Sequence, residues 1–191
     1  MAERSRAGKP FRIALTGGST PRAVYERLAL MDLDWASWHV WWSDERLVPP
    51  DHPDSNERMA REALLSRVSI PGDQVHALRS LDVPLPDEFD LVLLGVGHDG
   101  HTASLYPGHD EELADPGPLV HVPVPGLEPP HPRITFALAY VNAQPLVALI
   151  VGGEDKHEIL GRILAGDESL PAARVRARET VLLTDEAAAP R

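Results

Sequence analysis

The sequence predicts an α/β fold: a single-domain, open and mainly parallel sheet flanked by helices. Three observations predict it. Short apolar segments of strand length alternate along the chain with amphipathic stretches of helical period. The two longest apolar runs, 89–96 and 145–151, are nearly continuous instead of alternating, as strands covered on both faces read. Glycine-containing turns stand between strand ends and the helices that follow them. A chain of 191 residues suits one domain, 1–191, large enough to bury a core without disulfides or metal staples.

Residues 11–16 form the first expected strand, broken by Gly17-Gly18. Ser19-Thr20-Pro21 then supplies an N-cap hydroxyl and an early helical proline. A helix should run from there to Leu30 with Val24, Tyr25 and Leu28 inward. Residues 38–43, aromatic and β-branched, form the second strand, with the polar stretch Ser43-Asp44-Glu45-Arg46 at its carboxyl edge. After a proline-rich loop, Asp54 and Glu57 approximate a capping box for a helix to residue 67, with Ala60, Ala63 and Leu64 on one face. Further strands are expected at 75–78, 89–96, 119–124, 133–138, 146–151 and 180–184, and a last helix at 155–165 burying Ile159, Leu160, Ile163 and Leu164. The proline-dense stretch 107–132 contains apolar segments and reads as loops over one domain. The sum is a Rossmann-like three-layer arrangement.

The net charge of −11, with no basic block, argues against nucleic-acid binding. The absence of cysteine excludes a disulfide framework, thiolate zinc sites and a thiol nucleophile. No apolar run approaches the ~20 residues of a membrane span, so no membrane association is expected. Residues 1–10 are charged, lack the apolar region of a secretory signal, and read as a flexible start.

In open α/β sheets ligands bind beyond the carboxyl ends of the strands, which directs attention to four clusters. The first, Gly17-Gly18-Ser19-Thr20, offers close backbone approach and a helix amino terminus, the elements of an anion site. It is neither a P-loop nor a dinucleotide fingerprint, and Pro21 stands where a nucleophile elbow needs its second glycine. The second is Asp44-Glu45-Arg46, and the third His98 to Thr102. In the third, a histidine beside a carboxylate suits proton transfer near neutral pH, whereas the spacing of a two-histidine metal helix is missing. His98 itself reads as a solvated loop residue. The fourth cluster is Gly152-Gly153-Glu154-Asp155-Lys156. In so acidic a chain, Arg46 and Lys156 at strand ends are candidates for holding a small anion.

Taken together, these segments resemble the 6-phosphogluconolactonase family. The resemblance is carried by residues 15–21, by Trp42-Ser43-Asp44-Glu45-Arg46-Leu47-Val48-Pro49 with Ser55-Asn56, by 94–107 with its Asp99-Gly100-His101-Thr102-Ala103-Ser104-Leu105-Tyr106-Pro107 block, by Pro132-Arg133-Ile134-Thr135, and by 152–156. Thr102 to Tyr106 separates the chain from the related glucosamine-6-phosphate deaminases. The family also carries a helical segment before the first strand and another between the third and fourth, where this chain has only 79–88.

The resemblance implies a cytoplasmic enzyme that opens 6-phosphoglucono-δ-lactone without metal or cofactor, its partner a small sugar-phosphate lactone. The oligomeric state is open, with a monomer favoured. His101 is the implied base, with Asp99 and Asp44 either orienting it or binding sugar hydroxyls. Gly17, Gly18, Ser19, Thr20, Arg46, Lys156 and Arg133 would form the phosphate site. The amides of Gly97 and Gly100 are candidate oxyanion donors. A sugar-phosphate isomerase or deaminase, and a sugar-phosphate-binding sensor or inactive family member, are the alternatives.

Overall fold

A computed structural model describes residues 9–123 and 129–190 of the chain. Most of the expected flexible start, and Val124 at the end of one expected strand, lie outside the described residues. In chain order the elements are β1 (Phe11–Leu15), α1 (Ser19–Leu28), β2 (Trp38–Trp42), β3 (Asp44–Arg46), α2 (Asn56–Ala63), β4 (Leu91–Gly95), α3 (Asp110–Ala114), β5 (Leu119–Val122), β6 (Arg133–Phe136), α4 (Leu138–Asn142), β7 (Leu146–Val151), α5 (His157–Leu164) and β8 (Glu179–Thr184).

Five strands form a wholly parallel sheet in the order β2-β1-β4-β7-β8. Its central strands β4 and β7 are apolar throughout, as strands covered on both faces are, and Ile13, Leu15, Val92, Leu93, Leu94 and Val147 are fully buried. From β1 the chain steps outward to β2 and later returns to β4 on the opposite side of β1. The carboxyl ends of β1 and β4 therefore flank the point where the winding reverses, the place where such sheets leave a crevice.

A second, antiparallel sheet, β3-β6-β5, stands against the first. Only buried Ser43 separates β2 from β3, and its backbone joins the two sheets. Its N–H donates to the Leu15 carbonyl at 2.7 Å, and its carbonyl accepts from the Phe136 N–H at 2.7 Å.

Several elements differ from the sequence reading. The polar stretch expected at the end of the second strand is itself a strand, because β6 supplies the partner that no local pattern reveals. The expected strands 119–124 and 133–138 belong to this second sheet, and the latter stops at Phe136 because Leu138 opens α4. Residues 75–78 contribute only a single bridge, Val75 to Val40, so they extend the edge of β2 without forming a ladder. Helix α1 is capped by Gly18 with no side-chain hydrogen bond, placing Ser19 inside the first turn, and it ends at Leu28 with Leu30 solvent-exposed.

Helix α2 is capped by Ser55, whose Oγ accepts from the Arg58 N–H, while the Glu57 carboxylate turns to Arg61 and Arg79. It closes at Ala63, and residues 65–67 form a separate 3-10 turn. Helix α5 buries Ile159 and Leu160 but leaves Leu164 exposed, since two turns of helix present only a narrow stripe to the sheet. From Val75 the chain reaches β4 without a helix.

Candidate active site

At the reversal point, the strand ends enclose a cleft of about 190 Å³. Its floor begins at Thr16, where the fully buried Tyr25 hydroxyl accepts from the Thr16 N–H at 2.8 Å and donates to the Thr16 carbonyl at 2.9 Å. Burial raises the Tyr25 phenol well above its ordinary value, so this pin stays protonated. Beyond it, Gly18 adopts a φ of +107°, a conformation open to glycine, and turns the chain into α1. With no side chain capping α1, the amides of its first turn are left for a ligand, and Ser19 and Thr20 add hydroxyls at the same edge of the cleft. Gly17 is required for packing: a Cβ there would lie 2.0 Å from Asn56 Oδ1.

The loop after β4 carries a histidine–carboxylate pair. His101 Nδ1 lies 2.6 Å from Asp99 Oδ1, which also accepts the His101 backbone N–H at 3.1 Å. Burial by itself would raise the Asp99 carboxyl, but its bonds to the His101 ring and backbone hold it below the usual carboxylate range. An ionised Asp99 accepting from Nδ1–H selects, in the neutral ring, the tautomer whose Nε2 carries the free lone pair that a base requires. Thr102 Oγ1 ties the loop back to the Gly95 carbonyl at 2.8 Å.

In this conformation the amides of Gly97 and Gly100, expected as oxyanion donors, are taken up within the loop itself. The Gly97 N–H donates to the His101 carbonyl at 2.9 Å and the Gly100 N–H to the Gly97 carbonyl at 3.1 Å, so both amides are engaged in the turn. Their role is spatial. A Cβ on Gly97 would sit 2.0 Å from His101 Nδ1, and Gly100 combines a φ of +82° with Leu170 at 2.8 Å from its missing Cβ. His98 is largely exposed and faces Asp155 at 3.3 Å, outside the cleft lining.

The second sheet contributes the opposite wall. Asp44 is buried, with Oδ2 accepting from Ser104 Oγ at 2.7 Å and its carbonyl from Asn56 Nδ2 at 2.9 Å. The carboxylate in contact with the His101 ring is that of Asp99, whereas Asp44 bonds Ser104 and Asn56. Next to it, Arg46 on β3 lies directly opposite Arg133 on β6. Arg133 is only 3% exposed, and both Nε atoms are buried with no hydrogen-bond partner. Burial pulls the Arg133 guanidinium down from its ordinary value, and Arg46 beside it acts in the same direction. Like charges facing each other across a strand pair are unfavourable unless an anion joins them. Lys156, in the turn before α5, lines the same cleft, its ammonium shifted downward by burial and supported by Asp155 and Asp99.

Two residues here stand in the sequence motifs but were given no role of their own. Asn56 lines the cleft and braces Asp44, and Glu45, although not in the lining, holds α2 in place. Each occupies a motif position that could have been marked, but what it does depends on contacts across more than ten residues.

Fold and cleft together define a doubly wound α/β protein with a cationic cleft and a histidine–aspartate pair at the switch point of its sheet. Residues 1–184 match the family described as glucosamine-6-phosphate isomerases/6-phosphogluconolactonase, and the chain belongs to that family. It is 41% identical to a 6-phosphogluconolactonase from Nostoc sp., across 94% of this chain and 83% of that protein. The crystal structure of 6-phosphogluconolactonase from Thermotoga maritima superimposes with a TM-score of 0.85 at 32% identity, covering 95% of this chain and 88% of that one. A monomeric glucosamine-6-phosphate deaminase shares the fold alone, with a TM-score of 0.78 at 19% identity, covering 98% of this chain and 90% of the other.

Proposed function

We propose that this protein hydrolyses 6-phosphoglucono-δ-lactone to 6-phosphogluconate, with His101 as the base. The observation that carries the reading is the facing pair Arg46 and Arg133, each with an unpartnered buried Nε, in the cleft that His101 also lines, with Asp99 bonded to it from behind. A dianionic phosphate would relieve the repulsion of the two guanidinium groups and accept from Lys156, Ser19, Thr20 and the first-turn amides of α1. Gly17 and Gly18 admit it by their lack of side chains. Arg133, secondary to Arg46 on sequence, is its equal in this arrangement.

A δ-lactone is a reactive ester and needs no covalent intermediate. His101 Nε2 takes a proton from water as its oxygen adds to C1, and the carbonyl becomes a tetrahedral oxyanion. On collapse the C1–ring oxygen bond breaks, and His101 returns the proton to the departing alkoxide. Asp99 holds the ring in the reactive tautomer and stabilises the imidazolium. Asp44, bound to Ser104 and Asn56, is placed to accept from sugar hydroxyls. None of these roles uses a metal or cofactor. The cytoplasm is the proposed compartment, and among the described residues no helix is long and apolar enough to cross a membrane.

The test is acid release by the purified protein from the phosphorylated lactone and from δ-gluconolactone. The phosphorylated substrate should be strongly preferred, because remote binding energy positions C1. Arg46→Ala and Arg133→Ala should each lower kcat/KM by roughly 10–100-fold, the loss of one charge-assisted contact. Equal hydrolysis of both lactones by folded protein, insensitive to either substitution, would sink the phosphate reading.

A further inference from the structure

Away from the His101 loop, three side chains with metal-binding donors converge. His52 and Asp54 belong to the loop between β3 and α2, and His131 to the segment leading into β6. One ligand-capable atom from each lies within 4.8 Å of the other two. His131 Nε2 is 2.9 Å from Asp54 Oδ2, His52 Nδ1 is 3.7 Å from the same oxygen, and the imidazole rings meet edge to face with centroids 5.2 Å apart. We propose that His52, Asp54 and His131 bind one divalent transition ion, zinc by preference, clamping together the two loops that hold Arg46 and Arg133. The proposal is independent of the lactone chemistry.

The donor set is the first argument. Two imidazoles and one carboxylate, with a fourth position left for water, suit zinc or its neighbours and not calcium or magnesium, which favour all-oxygen cages. Geometry is the second. Zinc bonds of about 2.0–2.2 Å in a tetrahedron put ligand atoms about 3.3–3.6 Å apart, and the two nitrogen–oxygen separations of 2.9 and 3.7 Å bracket that range. The remaining separation, at most 4.8 Å, closes by a modest rotation of two half-exposed rings.

The third argument is preorganisation. Pro53 follows His52, and Pro130 and Pro132 flank His131, so the backbone near both histidines is stiff and little chain entropy is lost in fixing them. The Asp54 N–H donates to His52 Nδ1 at 3.2 Å, which holds that ring in place beside the carboxylate, and an ion bound at Nδ1 takes over the lone pair from this hydrogen bond. Arg46 Nη1 donates to the Asp54 carbonyl at 2.6 Å and leaves the carboxylate to the histidines, while Arg133 Nη2 donates to the Pro129 carbonyl at 3.1 Å. Each cleft arginine is thus anchored to one of the two loops that the ion would join.

The experiment is zinc titration of chelator-stripped protein, followed by calorimetry and by thermal melting. One equivalent should bind saturably, and Tm should rise by about 5–10 °C at zinc concentrations about 100 times Kd. Cobalt should bind the same site and report a low-coordinate environment through its visible absorption. His52→Gln and His131→Gln, which should melt like the parent in the absence of zinc, should each weaken binding at least about tenfold. His98→Gln, which disrupts the other exposed histidine–aspartate pair, should leave it intact. Absence of saturable binding, or binding unchanged by His52→Gln and His131→Gln, overturns the proposal, as does loss of binding in His98→Gln alone.

Discussion

His101 and Asp99 are two residues apart, and a short turn is enough to bring them into contact. That turn depends on the glycine beside them, since any side chain on Gly97 would occupy the space of the imidazole. The pair makes two linked expectations. His101→Gln keeps a hydrogen-bonding side chain of similar length but removes the base, so kcat for lactone hydrolysis should fall by about 10²–10⁴-fold. Asp99→Asn preserves the shape but can donate to Nδ1 and invert the tautomer, so it should lower kcat far more than it changes KM. Steady-state kinetics corrected for spontaneous hydrolysis measures both. Wild-type turnover in His101→Gln would remove the residue from the mechanism.

Among the elements, the junction of β3 with α2 is the one on which the cleft wall depends. Glu45 is buried, and its carboxylate accepts from the N–H groups of Arg46, Asn56 and Glu57 and from Ser55 Oγ, at 2.7–3.0 Å. Burial raises the Glu45 carboxyl, and the backbone amides of Glu57, Asn56 and Arg46 oppose that shift. The side chain fills the amino terminus of α2 while fixing Asn56 against Asp44, a task that no neighbour in sequence announces. Glu45→Gln should therefore be costly despite its similar shape. Each carboxylate oxygen accepts from two donors, so either orientation of the amide sets its NH₂ group against donors. A loss of about 1–3 kcal/mol is expected, read from urea denaturation. A variant as stable as the parent would show that the donors find water instead.

For the whole molecule, pH stability has a contributor far from the cleft, on the outer edge of the parallel sheet. His76 stacks on Trp41 with ring centroids 4.0 Å apart, and its Nε2 is 3.5 Å from His39 Nδ1. Burial lowers the His76 pKa, and His39 adds to the shift against a weaker pull from Asp73. The folded state therefore favours neutral His76, and below its ordinary value of 6.5 the unfolded chain binds the additional proton. This contribution to stability is complete above pH 6.5 and is lost as pH falls toward the lower folded-state value. Melting temperature should decline between about pH 7 and pH 5, and His76→Gln should flatten that decline. An unchanged slope in the variant would assign the acid sensitivity to other groups.

The sequence by itself determined the parallel strands β1, β2, β4 and β7, the glycine turn before α1 and the adjacency of Asp99 to His101. These features are local: apolar runs report burial on both faces, and residues a few positions apart meet across any tight turn. Tertiary structure alone decided that Asp44 to Arg46 is a strand, that Arg46 faces Arg133, that Glu45 caps a helix 11 residues away and that Asp54 meets His131 across 77 residues. It also redirected the Gly97 and Gly100 amides into their own turn. Strand pairing is set by backbone hydrogen bonds between segments distant in sequence, and the polar residues of β3 and β6 carry no hydrophobic period that foretells their partner. The histidine–aspartate pair is therefore readable in the chain, whereas the cationic wall facing it exists only after the second sheet has closed against the first.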